Sequence, residues 1–344
     1  VNLDEQYMLR CLTLAKMGLG SVAPNPLVGA VIVHKGKIIG EGFHEKYGES
    51  HAEVNAINSV VDKSLLKEST IYVALEPCSH FGKTPPCANL IIDHQFKKVV
   101  IACRDPFSEV NGKGIELLKD AKIEVVEGIL EKEAIELNRR FFTVQNKKRP
   151  YVILKWAETS DGFIDRKRLE NETGINWITS PETRQLVHKW RSEEMAVLVG
   201  KNTIYIDNSL LTVREWKGGN PVRIVIDPNL ELPLDKSIFD SSSNTLILNT
   251  SKNEVSNNLK FIKLTDFSSE SMLNCLYNEG IQSVMIEGGA STLQSFIDSN
   301  CWDEARVLSS KVNFIEGMIA PKLKSVPTSI DTFGEDKIKF FRNI

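Results

Sequence analysis

The sequence has no apolar run approaching the roughly 20 residues that a membrane helix needs, and no short apolar segment of the secretory kind. Its six Cys are spread widely over 344 residues, which argues against a disulfide framework and reads as reduced thiols of a cytoplasmic protein. Charge is balanced, with 42 Lys and Arg against 45 Asp and Glu and a net charge of −3, so no broad basic surface is offered to nucleic acid or to a membrane. An anionic small molecule must then be held by local Lys and Arg. No internal repeat or low-complexity tract appears, and no Gly-x-Gly-x-x-Gly, so a Rossmann dinucleotide fold is not indicated. What remains is ordinary for a globular chain, 42% hydrophobic and 25% charged, and its length suits two domains of roughly 100–200 residues.

The periodicity predicts a helix within 2–20 that Gly18-Leu19-Gly20 ends, strands at 28–33 and 38–43 joined by Lys35-Gly36-Lys37, and a helix over 51–61. Further strands are expected at 71–75, 98–102 and 123–126, with helices over 86–95 and 111–121. Alternation of strand and helix argues an α/β layered domain. The polar, basic stretch Asn146-Lys147-Lys148-Arg149-Pro150 precedes a strand at 151–156 and is the expected boundary, giving domains 1–146 and 150–344.

The chemistry concentrates at His51-Ala52-Glu53, Glu76-Pro77-Cys78 and Pro86-Cys87. One imidazole and two thiols, His51, Cys78 and Cys87, form a three-ligand zinc set whose fourth tetrahedral position stays open for water. Glu53, outside that set, is placed to move a proton between the water and a leaving amine. A closed structural zinc is the competing reading, with His80 or Cys103 as fourth ligand, but it leaves Glu53 without a purpose. The His-x-Glu and Pro-Cys pattern resembles the zinc deaminases of nucleobases. Those enzymes place their thiols three apart, whereas Cys78 and Cys87 are nine apart, separated by Ser-His-Phe-Gly-Lys-Thr-Pro-Pro.

That insert, with Asn25-Pro26-Leu27-Val28-Gly29-Ala30, Gly42-Phe43-His44 and Arg104-Asp105-Pro106, resembles the riboflavin-biosynthesis deaminases. The resemblance implies a cytidine-deaminase-like three-layer domain acting on 2,5-diamino-6-ribosylamino-4(3H)-pyrimidinone 5′-phosphate. It further implies that Glu53 is catalytic and that Asn25, His44, His80, Lys83 and Asp105 contact the substrate.

In the second half, an apolar strand at 283–286 runs into Glu287-Gly288-Gly289 and a helix. This is either an anion-binding turn or a close-packing one. Together with Lys155-Trp156-Ala157, Ser160-Asp161-Gly162, Trp177-Ile178-Thr179-Ser180 and 207–214, it resembles the reductases of the same pathway. The resemblance implies a dihydrofolate-reductase-like fold, NADPH as hydride donor, and a homo-oligomer joined through this domain. It places NADPH on Ala157, Trp177, Thr203, Asp207, Gly289, Ala290, Ser291, Thr292 and Leu293, and the phosphoribosyl substrate on Lys155, Arg191, Leu211, Arg214 and Glu287. A guanidinium fork suits a phosphate, which supports the two Arg independently. Phe163 stands where the family has Lys or Arg after Asp-Gly, and Ser309-Ser310-Lys311 where it has Ala-Pro-Lys. A basic contact is therefore expected to be missing, and a deaminase with a binding-only second domain is the alternative.

Overall fold

The computed structural model describes residues 2–79, 86–107, 110–170 and 172–343. They form two compact units, Val1–Lys148 and Arg149–Ile344.

The first unit is built on a five-stranded sheet in the order Lys37–Phe43, Gly29–His34, Thr70–Val73, Lys98–Ile101, Glu124–Glu127. The first three strands pair antiparallel and the last three parallel. Gly29–His34 is apolar on both faces because both are covered. Val31 and Val33 pack with Met8, Cys11 and Leu12 of helix Leu3–Lys16, while Ala30 and Ile32 pack with Ala52, Ala56 and Ile57 of helix Ala52–Ser59. The period of two thus sorts one strand between two helical layers. Gly42 lets the hairpin and helix Ala52–Ser59 approach closely, since a Cβ there would stand 2.3 Å from the Ala56 nitrogen.

The expected strands are present, with ends moved by one or two residues. The helices are shorter than expected. Leu3–Lys16 closes just before Gly18, where the glycines set its end, while 51–61 becomes Ala52–Ser59, 86–95 becomes Cys87–Asp93, and 111–121 becomes Lys113–Asp120. Two helices that the pattern did not indicate, Glu131–Leu137 and Arg139–Lys147, precede the unit boundary.

The second unit carries a ten-stranded sheet in which Tyr151–Glu158 is flanked in parallel by Ser283–Gly288 and Glu304–Ser309. Ala196–Gly200 and Val222–Ile226 continue the parallel part beyond Ser283–Gly288. Apolar clusters cover both faces, one around Val152, Leu154 and Ile286, the other around Ile153, Val197 and Met285. A separate two-stranded sheet pairs Phe163–Arg166 with Gly317–Ile319. The carboxyl ends of the parallel strands deliver Ala157, Val199 and Glu287 to one cavity, where open α/β sheets place ligands.

Candidate active sites

In the first unit, the end of Thr70–Val73 leads through Glu76 and Pro77 to Cys78, while His51 and Cys87 sit at helix starts. His51 is the N-cap of Ala52–Ser59 and makes no side-chain capping bond, and Cys87 is the first residue of Cys87–Asp93. The His51 Nδ1 lies 3.7 Å from Cys78 Sγ and 3.3 Å from Cys87 Sγ, and the three ligand atoms fall within 4.8 Å of one another. Bond lengths of about 2.0 and 2.3 Å in a tetrahedral zinc site give an N–S separation of roughly 3.5 Å, so the donor set fits the metal. The electrostatics suit a cation as well. Hydrogen bonds from Cys87 and then His51 bring the Cys78 thiol down to about 4, while the bond to Cys78 raises Cys87.

Glu53 is 3% exposed. Burial, with the Cys78 thiolate adding to it, pushes its carboxyl up to about 7. It lines a cavity of about 260 Å³ with His51, Cys78, Asn25, His44 and Asp105. His44 Nδ1 lies 3.0 Å from the Ser50 carbonyl and its Nε2 3.0 Å from Asn25 Nδ2. The carbonyl takes the ring proton, so Nε2 accepts from Asn25 and orients that amide. Burial lowers the pKa of His44, which keeps the ring neutral. Asp105 caps its own turn by accepting from the Phe107 amide at 2.8 Å. The sequence-expected contacts His80 and Lys83 lie outside the described residues.

Glu76, for which the sequence motif indicates no role, is buried, and its carboxylate accepts the amides of Asp105 at 3.2 Å, Gly112 at 2.9 Å, Gly114 at 3.0 Å and Ile115 at 3.3 Å. It clamps the Asp105 loop and the start of helix Lys113–Asp120 beside Cys78. Glu76→Ala strands several buried donors, each worth about 1–3 kcal/mol, so a fall of at least about 3 kcal/mol in stability is expected. Urea unfolding of the full chain measures it; a midpoint equal to wild type would show that water replaces the carboxylate. Phe141 and Gln145 also line the cavity, from helix Arg139–Lys147, and no sequence motif marked them.

In the second unit, one cavity of about 420 Å³ gathers Lys155, Ala157, Trp177, Arg191, Thr203, Asp207, Leu211, Arg214, Glu287, Gly289 and Leu293. Ala290, Ser291 and Thr292 form the first turn of helix Ala290–Asp298 and do not line it. Thr292 Oγ1 instead lies 3.0 Å from where a Cβ on Gly200 would stand. Gly288 has φ 146°, a backbone that favours glycine at this turn.

The guanidinium fork of Arg191, which the resemblance places on the phosphoribosyl substrate, is engaged by Glu287, with Nε at 2.6 Å and Nη2 at 2.8 Å. Lys155 Nζ reaches the same carboxylate at 3.4 Å. Burial works upward on Glu287, but Arg191 and Lys155 outweigh it and hold the carboxyl at about 2. A carboxyl held below its ordinary 4.5 contributes stability that is full above pH 4.5 and is lost as pH falls toward about 2. All five Trp lie in this unit, so tryptophan fluorescence should report its loosening across that window. A signal flat from pH 5 to below about 2 would contradict the assignment.

Phe163 does open the strand where a basic residue was expected. The same segment brings another cation to the cavity wall, Arg168, whose Nε is 2.6 Å from Asp165 Oδ2 and whose Nη2 is 3.6 Å from Asp207 Oδ1. Burial and Asp165 push Asp207 up to about 6 against the pull of Arg168.

Residues 1–103 match the family described as the cytidine and deoxycytidylate deaminase zinc-binding region, and residues 150–311 match the RibD C-terminal domain. The riboflavin biosynthesis protein RibD of Aquifex aeolicus is 41% identical, over 99% of this chain and 99% of its own. That of Bacillus amyloliquefaciens is 40% identical, over 94% and 88%. A crystal structure from Thermotoga maritima, of a diaminohydroxyphosphoribosylaminopyrimidine deaminase/5-amino-6-(5-phosphoribosylamino)uracil reductase, superposes with a TM-score of 0.89 at 38% identity. It covers 99% of this chain and 98% of its own. Fold and sites together define a bifunctional enzyme, a zinc-dependent deaminase joined to an NADPH-dependent reductase. The chain belongs to the RibD family of riboflavin biosynthesis proteins. Neither the full-length similarity nor the ionic order of the second cavity favours a binding-only second unit.

Proposed function

We propose that the first unit deaminates 2,5-diamino-6-ribosylamino-4(3H)-pyrimidinone 5′-phosphate and that the second reduces the ribosyl group of the product to ribityl. The observation that carries this reading is the buried Glu53 carboxyl at a cavity wall beside His51 and Cys78, facing a pocket that also holds Asn25, His44 and Asp105. Zinc on His51, Cys78 and Cys87 would supply hydroxide near neutral pH at its open position. Glu53 takes one proton from the attacking water and gives it to the ring nitrogen, then carries the second proton, from the added hydroxyl, to the amine, which leaves as ammonia as the carbonyl forms. Asn25, fixed by His44, holds the pyrimidine edge with Asp105, and His80 and Lys83 complete the substrate contacts. Water enters and ammonia leaves, so the ring gains a carbonyl with no change of oxidation state.

In the second unit NADPH supplies the hydride. Ala157, Trp177, Thr203, Asp207, Gly289 and Leu293 hold the cofactor from the cavity wall in this reading, with Ala290, Ser291 and Thr292 as the helix start next to Gly289. Lys155, Glu287 and Arg191 form one ionic group against the substrate, with Arg191 acting through Glu287, and Leu211 and Arg214 receive the phosphate end. The activities divide at the basic stretch, residues 1–146 for deamination and 150–344 for reduction. A cytoplasmic homo-oligomer joined through the second unit belongs to the same reading; six free Cys accord with a reducing compartment.

The test follows ammonia release and NADPH oxidation in one tube, with zinc-loaded protein and the diaminopyrimidinone ribosyl-phosphate. Both signals are expected, in equal amounts. Ammonia without NADPH oxidation would remove the reductase half of the proposal, and NADPH oxidation without ammonia would reverse the order of the two steps.

A further inference from the structure

We infer that His188 donates a hydrogen bond from Nε2 to the phosphate of the ribosyl substrate in the second cavity. This rests on the reading that the Arg214 loop receives that phosphate. Helix Pro181–Glu193 places His188 and Arg191 three residues apart, on neighbouring turns of one face, and both line the cavity. The Arg214 backbone N–H donates to His188 Nδ1 at 3.2 Å. That bond consumes the Nδ1 lone pair, so the neutral ring carries its proton on Nε2. Burial, then the charges of Arg191 and Arg214, disfavour a second proton. Glu215 Oε1 lies 3.9 Å from Nε2, beyond hydrogen-bond reach.

The cavity needs such a donor because its cations are largely engaged. Arg191 and Lys155 are on Glu287, Arg168 is on Asp165 and Arg184 stacks over the Trp177 ring at 4.1 Å, while Arg214 spends Nη1 on Thr212 Oγ1 at 3.1 Å. A phosphate at this loop meets one guanidinium, and a neutral N–H beside it adds a hydrogen bond without adding repulsion between cations. Leu211, at φ 57° in the same loop, is buried, a conformation that persists only where the surroundings enforce it.

Two substitutions separate the ring's two nitrogens. His188→Asn keeps an acceptor for the Arg214 amide and removes the outer donor; His188→Gln restores a donor near the Nε2 position. Steady-state kinetics with the deaminated substrate should give a KM raised roughly tenfold in His188→Asn, largely recovered in His188→Gln, with kcat of the same order. The dephosphorylated nucleoside should not distinguish His188→Asn from wild type. Ribose 5-phosphate should raise the Tm of wild type more than that of His188→Asn, a readout independent of turnover. An unchanged KM, an equal rise for phosphorylated and dephosphorylated substrates, or a rise in KM for NADPH alone would each overturn the assignment. If wild type itself has no preference for the phosphorylated substrate, the phosphate reading of the loop fails, and not merely the role of His188.

Discussion

Glu53→Gln is expected to lose deamination by a factor of about 10²–10⁴ or more, the usual worth of a positioned proton shuttle, while its zinc content stays at one per chain. Gln fills the same buried space in helix Ala52–Ser59 and leaves His51, Cys78 and Cys87 untouched, but it cannot take a proton from water or return one to the leaving amine. Reduction should continue at the wild-type rate when the variant is given the deaminated substrate directly, because Glu53 belongs to the first unit alone. Ammonia release, metal analysis and NADPH oxidation on the same preparation distinguish the possibilities. Deamination within tenfold of wild type would sink the shuttle role, and loss of zinc with activity would make Glu53 a support of the metal ligands.

The second large effect is expected at Glu287. Its side chain is 6% exposed and balances Arg191 at 11% and Lys155 at 14%. Glu287→Leu leaves two cations in a buried place with no carboxylate between them. Breaking a buried ionic group from one side costs about 3–5 kcal/mol, which for a unit of this size corresponds to a Tm lower by about 10 °C. NADPH-dependent reduction should fall with it, while deamination in the first unit persists. Because all five Trp report on the second unit, fluorescence-detected melting reads this event directly. The paired variant Arg191→Leu/Glu287→Leu should recover part of the loss, since one buried charge is removed with its partner. A single variant as stable as wild type would mean that solvent already screens the cluster.

The metal set was legible because its parts are local in sequence. His51 and Glu53 are two residues apart at one helix start, and Cys78 and Cys87 bracket one insert. The strands were legible for a similar reason: a short continuous apolar run such as Ala30-Val31-Ile32-Val33 marks a strand covered on both faces. Helices were less so. Gly18-Leu19-Gly20 marked the end of the first helix, which stops at Lys16, but nothing in the pattern marked Glu131–Leu137 and Arg139–Lys147. Glu76 stood in plain view beside Cys78, but nothing in a local motif says that a carboxylate will accept amides 29 to 39 residues away.

The sequence by itself determined the chemistry available to each half, a three-ligand metal set with a spare carboxylate and a second set of charged and glycine-rich segments. Tertiary structure decided which of those groups act on one another. Folding brought Glu287, 96 residues further on, to the fork of Arg191. Arg168, part of a charged insert in the sequence, became the cation beside Asp207. The physical reason is range. Hydrophobic periodicity and ligand spacing act within a turn or a strand, whereas a buried charge takes the partner that chain topology carries to it.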